Sequence, residues 1–165
     1  MLVHDFLQDS ADQQPDKVAL ICDGQRLTYA EIDEQANRVA HGLLAAGVQR
    51  GDRVGIWLPN SVEAVVAIFG VLKAGAVFVT INPTTKPDKL AYILGNCAAR
   101  GVFAPARQAA TAERLLRSVP SLHFSVLCGK EGKGATVIPS PHALTWADIL
   151  SSYPAARPTS GCIDV

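Results

Sequence analysis

Between Arg53 and Ile81 the chain runs "RVGIWLPNSVEAVVAIFGVLKAGAVFVTI", and no other stretch constrains the fold as much. An apolar run from Arg53 to Leu58 stops at Pro59-Asn60. A segment of helical length follows, apolar almost all round, and Gly75 closes it as a natural residue just past a helix end. A second apolar run, "AVFVTI", stops at Asn82-Pro83. Strand, helix and strand at this spacing form a βαβ unit, whose strands lie parallel because the long connection crosses over the sheet. A helix with apolar residues on every side predicts burial on more than one side. The second strand lacks polar alternation, which predicts burial on both faces.

The flanking segments extend the same alternation. "VALICDGQRLTY" reads as a hairpin: Val18 to Cys22, a turn at Asp23-Gly24, and a return from Gln25 to Leu27. Thr28 and Glu31 form a capping box that starts a helix at Tyr29. Ile32, Ala36, Val39, Ala40, Leu43 and Leu44 share one face of it, and Gly47 ends it. Leu2, Phe6 and Leu7 predict a short amphipathic helix ending before Pro15. Asn60 with Glu63 predicts a cap for the apolar helix. Thr85 with Asp88, and Pro87 in the first turn, predict another start, with Leu90, Ile93 and Leu94 on its inner face. "GVFA" is a short strand, Ala106 to Val119 a helix stopped by Pro120, and "HFSVLC" a further strand. From Gly129 the character changes to a loop, a short helix over Trp146 to Ser152 capped by Thr145 and Asp148, and an irregular tail, "YPAARPTSGCIDV". The predicted class is α/β: a mostly parallel sheet with helices on both faces, plus a small amino-terminal β-hairpin. Residues 1–165 read as one module, with 129–165 as its loop-rich tail.

Composition narrows the function. With 15 basic and 15 acidic residues the net charge is zero, and the cations are scattered. No field favours nucleic acid or an anionic surface. Charged residues make up 18% of the chain, below the roughly 25% usual for soluble domains, so apolar surface left for packing is expected. Cys22, Cys97, Cys128 and Cys162 are far apart, with no C-x-x-C pair and no nearby histidine, a spacing that does not support a metal site; a disulfide framework, which four cysteines could make in a small secreted protein, is not expected without a secretory signal. The opening "MLVHDFLQDSADQQPDK" has acids and glutamines where a secretory signal would be apolar, and a reduced cytoplasmic setting is expected. The longest apolar run, Val62 to Leu72, is broken by Glu63 and too short to span a bilayer.

In open α/β sheets ligands bind beyond the carboxyl ends of the strands. Here those ends are Pro59-Asn60-Ser61, Asn82 to Thr85, Ala104-Pro105 and the Gly129 loop. Asn60, at a predicted helix start, reads as a cap rather than an anion ligand. The Gly129 loop fails the phosphate-loop pattern at both ends: Leu127 stands where the first glycine belongs and Gly134 where the hydroxyl belongs. Lys73, in the last turn of a helix, is expected to complement the helix dipole and reach the last carbonyls. His4, His41, His123 and His142 lie far apart in sequence and read as surface or core histidines. Read from its residues, the chain offers a fold and no catalytic, cofactor-binding or metal-ligating constellation.

"LTYAEI" (Leu27 to Ile32), "GDRVGIWLPNS" (Gly51 to Ser61), "LKAGAVFVTINP" (Leu72 to Pro83) and "KLAYILGNCAARGVF" (Lys89 to Phe103) resemble the amino-terminal part of the adenylate-forming superfamily. That superfamily comprises AMP-forming acyl-CoA synthetases, aryl-acid ligases, luciferase-like enzymes and the adenylation domains of peptide synthetases. The resemblance covers roughly residues 10 to 128. The Asn82-Pro83 ending is more similar to the acyl-CoA and aryl-acid branches than to the amino-acid-activating branch.

The resemblance implies a reaction for a longer parent. A carboxylate attacks the α-phosphate of ATP, with magnesium, to give an acyl-adenylate and pyrophosphate. A thiol, usually of coenzyme A, then displaces AMP. It also implies that the parts performing this chemistry lie later in such proteins: the Ser/Thr/Gly-rich loop ending in Pro-Lys-Gly, the acidic ribose ligand, the hinge and the catalytic lysine. Thr159-Ser160-Gly161 mimics the first letters of that loop without its Pro-Lys, and reads as the linker before it. The leading expectation is therefore an amino-terminal fragment of an AMP-forming acyl-CoA synthetase, inactive alone, whose partner is the remainder of the ligase chain and whose parent takes a carboxylic acid. The alternatives are a non-catalytic α/β module that oligomerises or binds a partner through apolar surface, and a small-molecule-binding α/β domain. Neither nucleic acid nor a membrane span is expected.

Overall fold

The computed structural model describes residues 1–129 and 143–159. A first helix, α1 (Val3–Gln13), leads into an antiparallel hairpin of β1 (Val18–Cys22) and β2 (Gln25–Thr28). Asp23 and Gly24 both have positive φ, 48° and 78°, the backbone that a tight two-residue hairpin turn requires. Then α2 (Tyr29–Ala45), β3 (Arg53–Ile56), α3 (Val62–Lys73), β4 (Val77–Thr80), α4 (Pro87–Asn96) and β5 (Gly101–Pro105) follow. A short 3-10 turn over Ala106–Gln108 precedes α5 (Ala109–Ser118), β6 (Phe124–Cys128), β7 (Ala143–Thr145) and α6 (Trp146–Ser152). The last five strands form one parallel sheet in the order β4-β3-β5-β6-β7. Among the described residues no helix is long and apolar enough to cross a membrane.

Helices cover both faces of this sheet, and strand alternation distributes the two cores. Val54, Phe103, Phe124 and Val126 point to the face where Val39 and Leu43 of α2 meet Val66 and Val71 of α3. Val102, Ala104 and Leu127 point to the opposite face, against Leu90 and Leu94 of α4 and Leu115 of α5. The helices α2 and α3 cross closely because Gly70 has no side chain: a Cβ there would stand 2.7 Å from the Cβ of Val39.

Sequence and structure agree on the capping box of α2. Thr28 Oγ1 accepts from Glu31 N (3.2 Å) and the Glu31 carboxylate accepts from Thr28 N (2.8 Å). They also agree on the stop of α3, where Gly75 takes φ 75° and its N–H donates to Leu72 O (3.0 Å).

Elsewhere they differ for physical reasons. The cap of α3 is Ser61, whose hydroxyl accepts from Ala64 N (3.2 Å), and Asn60 lies one residue outside. The cap of α4 is Lys86 with no side-chain bond; Thr85 instead closes the preceding turn through its N–H on Asn82 O (2.9 Å). Phe6 faces out of α1, which buries Leu7 and Ala11. The strand β4 is not buried on both faces. It is the edge of the sheet, with Val77 48% exposed and Phe78 and Val79 half-buried. An unalternating apolar pattern reports the two faces of a strand and cannot report a missing lateral neighbour. The sequence pattern does not predict β7, which is only Ala143–Thr145 long.

Candidate functional site

The direction of sheet assembly reverses at β3, since β4 lies on one side of it and β5 on the other. Two clefts open at the carboxyl ends of these strands. The smaller, about 100 Å³, lies beyond β3, β5 and β6, between Pro59, Glu63, Arg107, Cys128 and Gly129. Its thiol is no nucleophile: burial first, and then the Glu63 carboxylate, push the Cys128 pKa far up, so the sulfur keeps its proton. Arg107 is exposed and Glu63 half-buried, one charge of each sign.

The larger cleft, about 550 Å³, is a groove between the hairpin and the far ends of β3 and β4, floored by α3. Leu20, Ile21, Leu58, Ile68 and Ile81 make it apolar, while Asn60, Ser61, Thr80 and Asn82 mark its rim. The Asn82 side chain is occupied locally: its Oδ1 accepts from Thr84 N (2.9 Å) and Thr84 Oγ1 (2.7 Å), forming the turn that ends β4. No Asp, Glu, Lys, Arg or His among the described residues lines this groove. Its described lining can take apolar material and offers no charged side chain to neutralise a phosphate.

The charged side chains that converge do so elsewhere. Lys73 does not reach the carbonyls of its own helix. It is 1% exposed, and its Nζ donates to Asp33 Oδ1 (2.7 Å) and Asn37 Oδ1 (2.8 Å), both on α2. Burial pulls the Lys73 pKa below the ordinary lysine value, and the Asp33 carboxylate opposes that shift. Asp33 Oδ2 also accepts from Arg157 Nε (3.4 Å), and Arg157 grips Asp12 of α1 through both terminal nitrogens (2.7 and 3.1 Å). This network lies where α3 ends beside the start of β3, at which point Gly51 N donates to Gly75 O (2.9 Å), so it is at the end of the sheet away from both clefts. Sequence reasoning missed it, although a signal existed: Asp33 and Asn37 are one turn apart, next to the apolar stripe of α2.

His4 is half-buried, His41 Nε2 lies 2.9 Å from Ala156 O, and His123 is exposed. The structure does not bring them together. Cys22, Cys97 and Cys128 are free thiols. Among the described residues no three His, Cys, Asp or Glu side chains converge as a metal site would require. His142, Cys162, Ser160-Gly161 and the Gly129 loop beyond its first residue lie outside the described residues.

The family model described as "AMP-binding enzyme" matches residues 7–148. A medium/long-chain-fatty-acid–CoA/3-oxocholest-4-en-26-oate–CoA ligase of Mycobacterium marinum is 42% identical over 94 residues, which are 57% of this chain and 17% of that protein. A linear gramicidin synthase of Brevibacillus parabrevis is 37% identical over 128 residues, 78% of this chain and 2% of its own length. Among solved structures, the anthranilate CoA ligase AuaEII in complex with anthranoyl-AMP superposes with a TM-score of 0.83 at 28% identity, over 94% of this chain and 29% of that one. The matched stretch of this chain thus spans about a sixth of the length of these fatty-acid CoA ligases, and the superposed chain under a third of the anthranilate CoA ligase.

Proposed function

The chain belongs to the AMP-binding enzyme family, and we propose that it is the amino-terminal portion of an AMP-forming acyl-CoA synthetase. The parent would activate a carboxylic acid with ATP and magnesium, release pyrophosphate, and pass the acyl group from AMP to the thiol of coenzyme A. The observation that carries this reading is the superposition of nearly the whole chain on a CoA ligase holding an acyl-adenylate. Medium- and long-chain ligases among the relatives support a fatty acid as the substrate, and the Asn82-Pro83 ending supports the acyl-CoA branch over the peptide-synthetase branch that also matches.

We further propose that this chain alone does not form adenylates. Its described residues do not by themselves fit a magnesium triphosphate: the groove has no charged side chain, and the small cleft sets Glu63 against Arg107. No step of the reaction is therefore assigned to a residue of this chain. The remainder of the ligase chain is its expected partner, over the open edge at β4. Free thiols support a reducing, cytoplasmic setting.

Reading the gene through and beyond the Val165 codon tests the assignment. An apolar strand followed by a Ser/Thr/Gly-rich loop closing on Pro-Lys-Gly is expected, and a stop codon overturns it. ATP–pyrophosphate exchange across a panel of carboxylates, run on this chain alone, should give no signal; turnover would overturn the claim of inactivity. A second reading, a non-catalytic module that self-associates, is favoured by the exposed Ile21 on the groove and the exposed Val77 at the start of the β4 edge strand. A sedimentation series that stays monomeric at all concentrations removes it. A flat thermal-shift screen over nucleotides and acyl compounds removes the small-molecule binder.

A further inference from the structure

The described residues after α6, 153–159, form no helix or strand, yet Tyr153 to Arg157 are fastened along α2. Arg38 Nη1 donates to Leu150 O (3.1 Å) and Tyr153 O (2.6 Å), and Asn37 Nδ2 donates to Ala155 O (2.7 Å). A carbonyl only accepts, so the His41 Nε2 that lies 2.9 Å from Ala156 O carries a proton. Tyr153 lays its ring over Gly42, where a Cβ would stand 3.3 Å from the ring edge. The segment is a strap, held mainly by polar side chains of one helix gripping its carbonyls.

Arg157 joins this strap to the other end of the chain. Its guanidinium takes both oxygens of Asp12, and also reaches Gln8 O (3.4 Å) and Asp33 Oδ2 (3.4 Å). The helix α1 needs such help, because it buries only Leu7 and Ala11. The Asp33 that Arg157 touches is also the counter-ion of buried Lys73. One side chain therefore bears on α1, on α2 and, through Asp33, on α3.

We propose that Arg157 is a clasp that makes the docking of α1 and the docking of the 153–157 strap conditional on each other. The coupling is reciprocal, as any linkage between two equilibria must be. Its consequence spans the chain: the seating of the first helix bears on backbone more than 140 residues later.

Reciprocal perturbation of the whole chain tests the clasp. Arg157→Met keeps the aliphatic stem and deletes the fork. Hydrogen exchange of the α1 amides should then accelerate by at least about fivefold, the low end of ordinary coupling between sites. Asp12→Asn is nearly isosteric and removes the carboxylate. Elastase cleavage after Ala155 or Ala156, followed by mass spectrometry, should accelerate to a similar degree. Asp9→Asn, at an exposed acid of the same helix whose side chain has no hydrogen bond among the described residues, is the control and should change neither reading. Amides of β5 and β6 serve as an internal reference and should keep their exchange rates. The proposal is overturned if either reciprocal effect is missing, if Asp9→Asn reproduces them, or if β5 and β6 accelerate equally, which would show global destabilisation instead of a local clasp.

Discussion

Two regions of the molecule invert the usual relation between polarity and burial. At the α2–α3 crossing a lysine is sealed from water, and polar neighbours answer it: Asp33, Asn37, and beyond them Arg157. At the β4 edge and the hairpin, apolar side chains stand in the open, with Ile21 61% and Val77 48% exposed. The first region is closed because this chain supplies the partners it needs. The second is open because a strand edge and a groove need neighbours that the described residues do not supply. Burial therefore follows the partners a region has, not its hydropathy.

Breaking the closed region should cost the most. Lys73→Met leaves Asp33 buried with Arg157 as its remaining cation, and removing one member of a buried pair costs about 3 to 5 kcal/mol. Urea denaturation measures it through the midpoint at constant slope. Combining Lys73→Met with Asp33→Asn removes the orphaned charge, so the double variant should be less destabilised than the two single losses added together. A cost for Lys73→Met no larger than that of a surface substitution, about 0.5 kcal/mol, would show that the pair is not what holds the crossing.

Glycines sharpen the same contrast at smaller scale. Gly70→Ala forces a methyl against Val39 at the helix crossing and should cost about 1 to 3 kcal/mol. Gly95→Ala, near the end of α4, meets nothing closer than Val119 Cγ1 at 4.0 Å and should gain about 0.5 kcal/mol of helix propensity. Paired melts decide it: equal shifts in both variants would mean that the close approach of α2 and α3 is not as tight as the structure draws it. In the open region, Ile21→Lys and Val77→Lys should leave stability within about 0.5 kcal/mol, since neither side chain packs fully. The same variants should lower the binding of an apolar-surface dye. Dye binding unchanged by either would place the sticky surface elsewhere.

The legibility of these regions from sequence follows from the range of the forces that shape them. The hairpin turn at Asp23-Gly24, the Thr28–Glu31 box and the Gly75 stop are decided within a few residues, and all are readable in order along the chain. The choice of Ser61 over Asn60 as a cap turns on one residue of register between two good capping side chains, which pattern cannot resolve. Lys73 was legible as structural, but its partners are 36 and 40 residues away on another helix. Only the pairing of polar Asp33 and Asn37 beside an apolar stripe hinted that a cation had to come from elsewhere. The strap looked like irregular tail because its bonds come from side chains of α2 and leave no periodicity of their own. The family resemblance rested on packing signatures, so it identified the fold while assigning no residue a chemical role.

The smallest expected effect is a pH dependence at the rim of the closed region. His4 on α1 is half-buried; desolvation pulls its pKa below the ordinary 6.5, with the Asp5 carboxylate opposing and Lys73 adding to the fall. In the unfolded chain the imidazole titrates near 6.5. Between the folded pKa and that value the unfolded state binds more protons, so stability rises with pH across the window. The contribution is complete above the unfolded pKa and is lost as acid carries the solution down through the folded one. His4→Gln should flatten this slope, a difference read from denaturation midpoints compared at about pH 7.5 and about pH 5.5, where histidine alone among ordinary side chains changes charge. Wild type should lose ground to the variant on acidification. A gain instead would mean that Asp5 outweighs burial, and that the start of α1 is held by charge as its other end is held by Arg157.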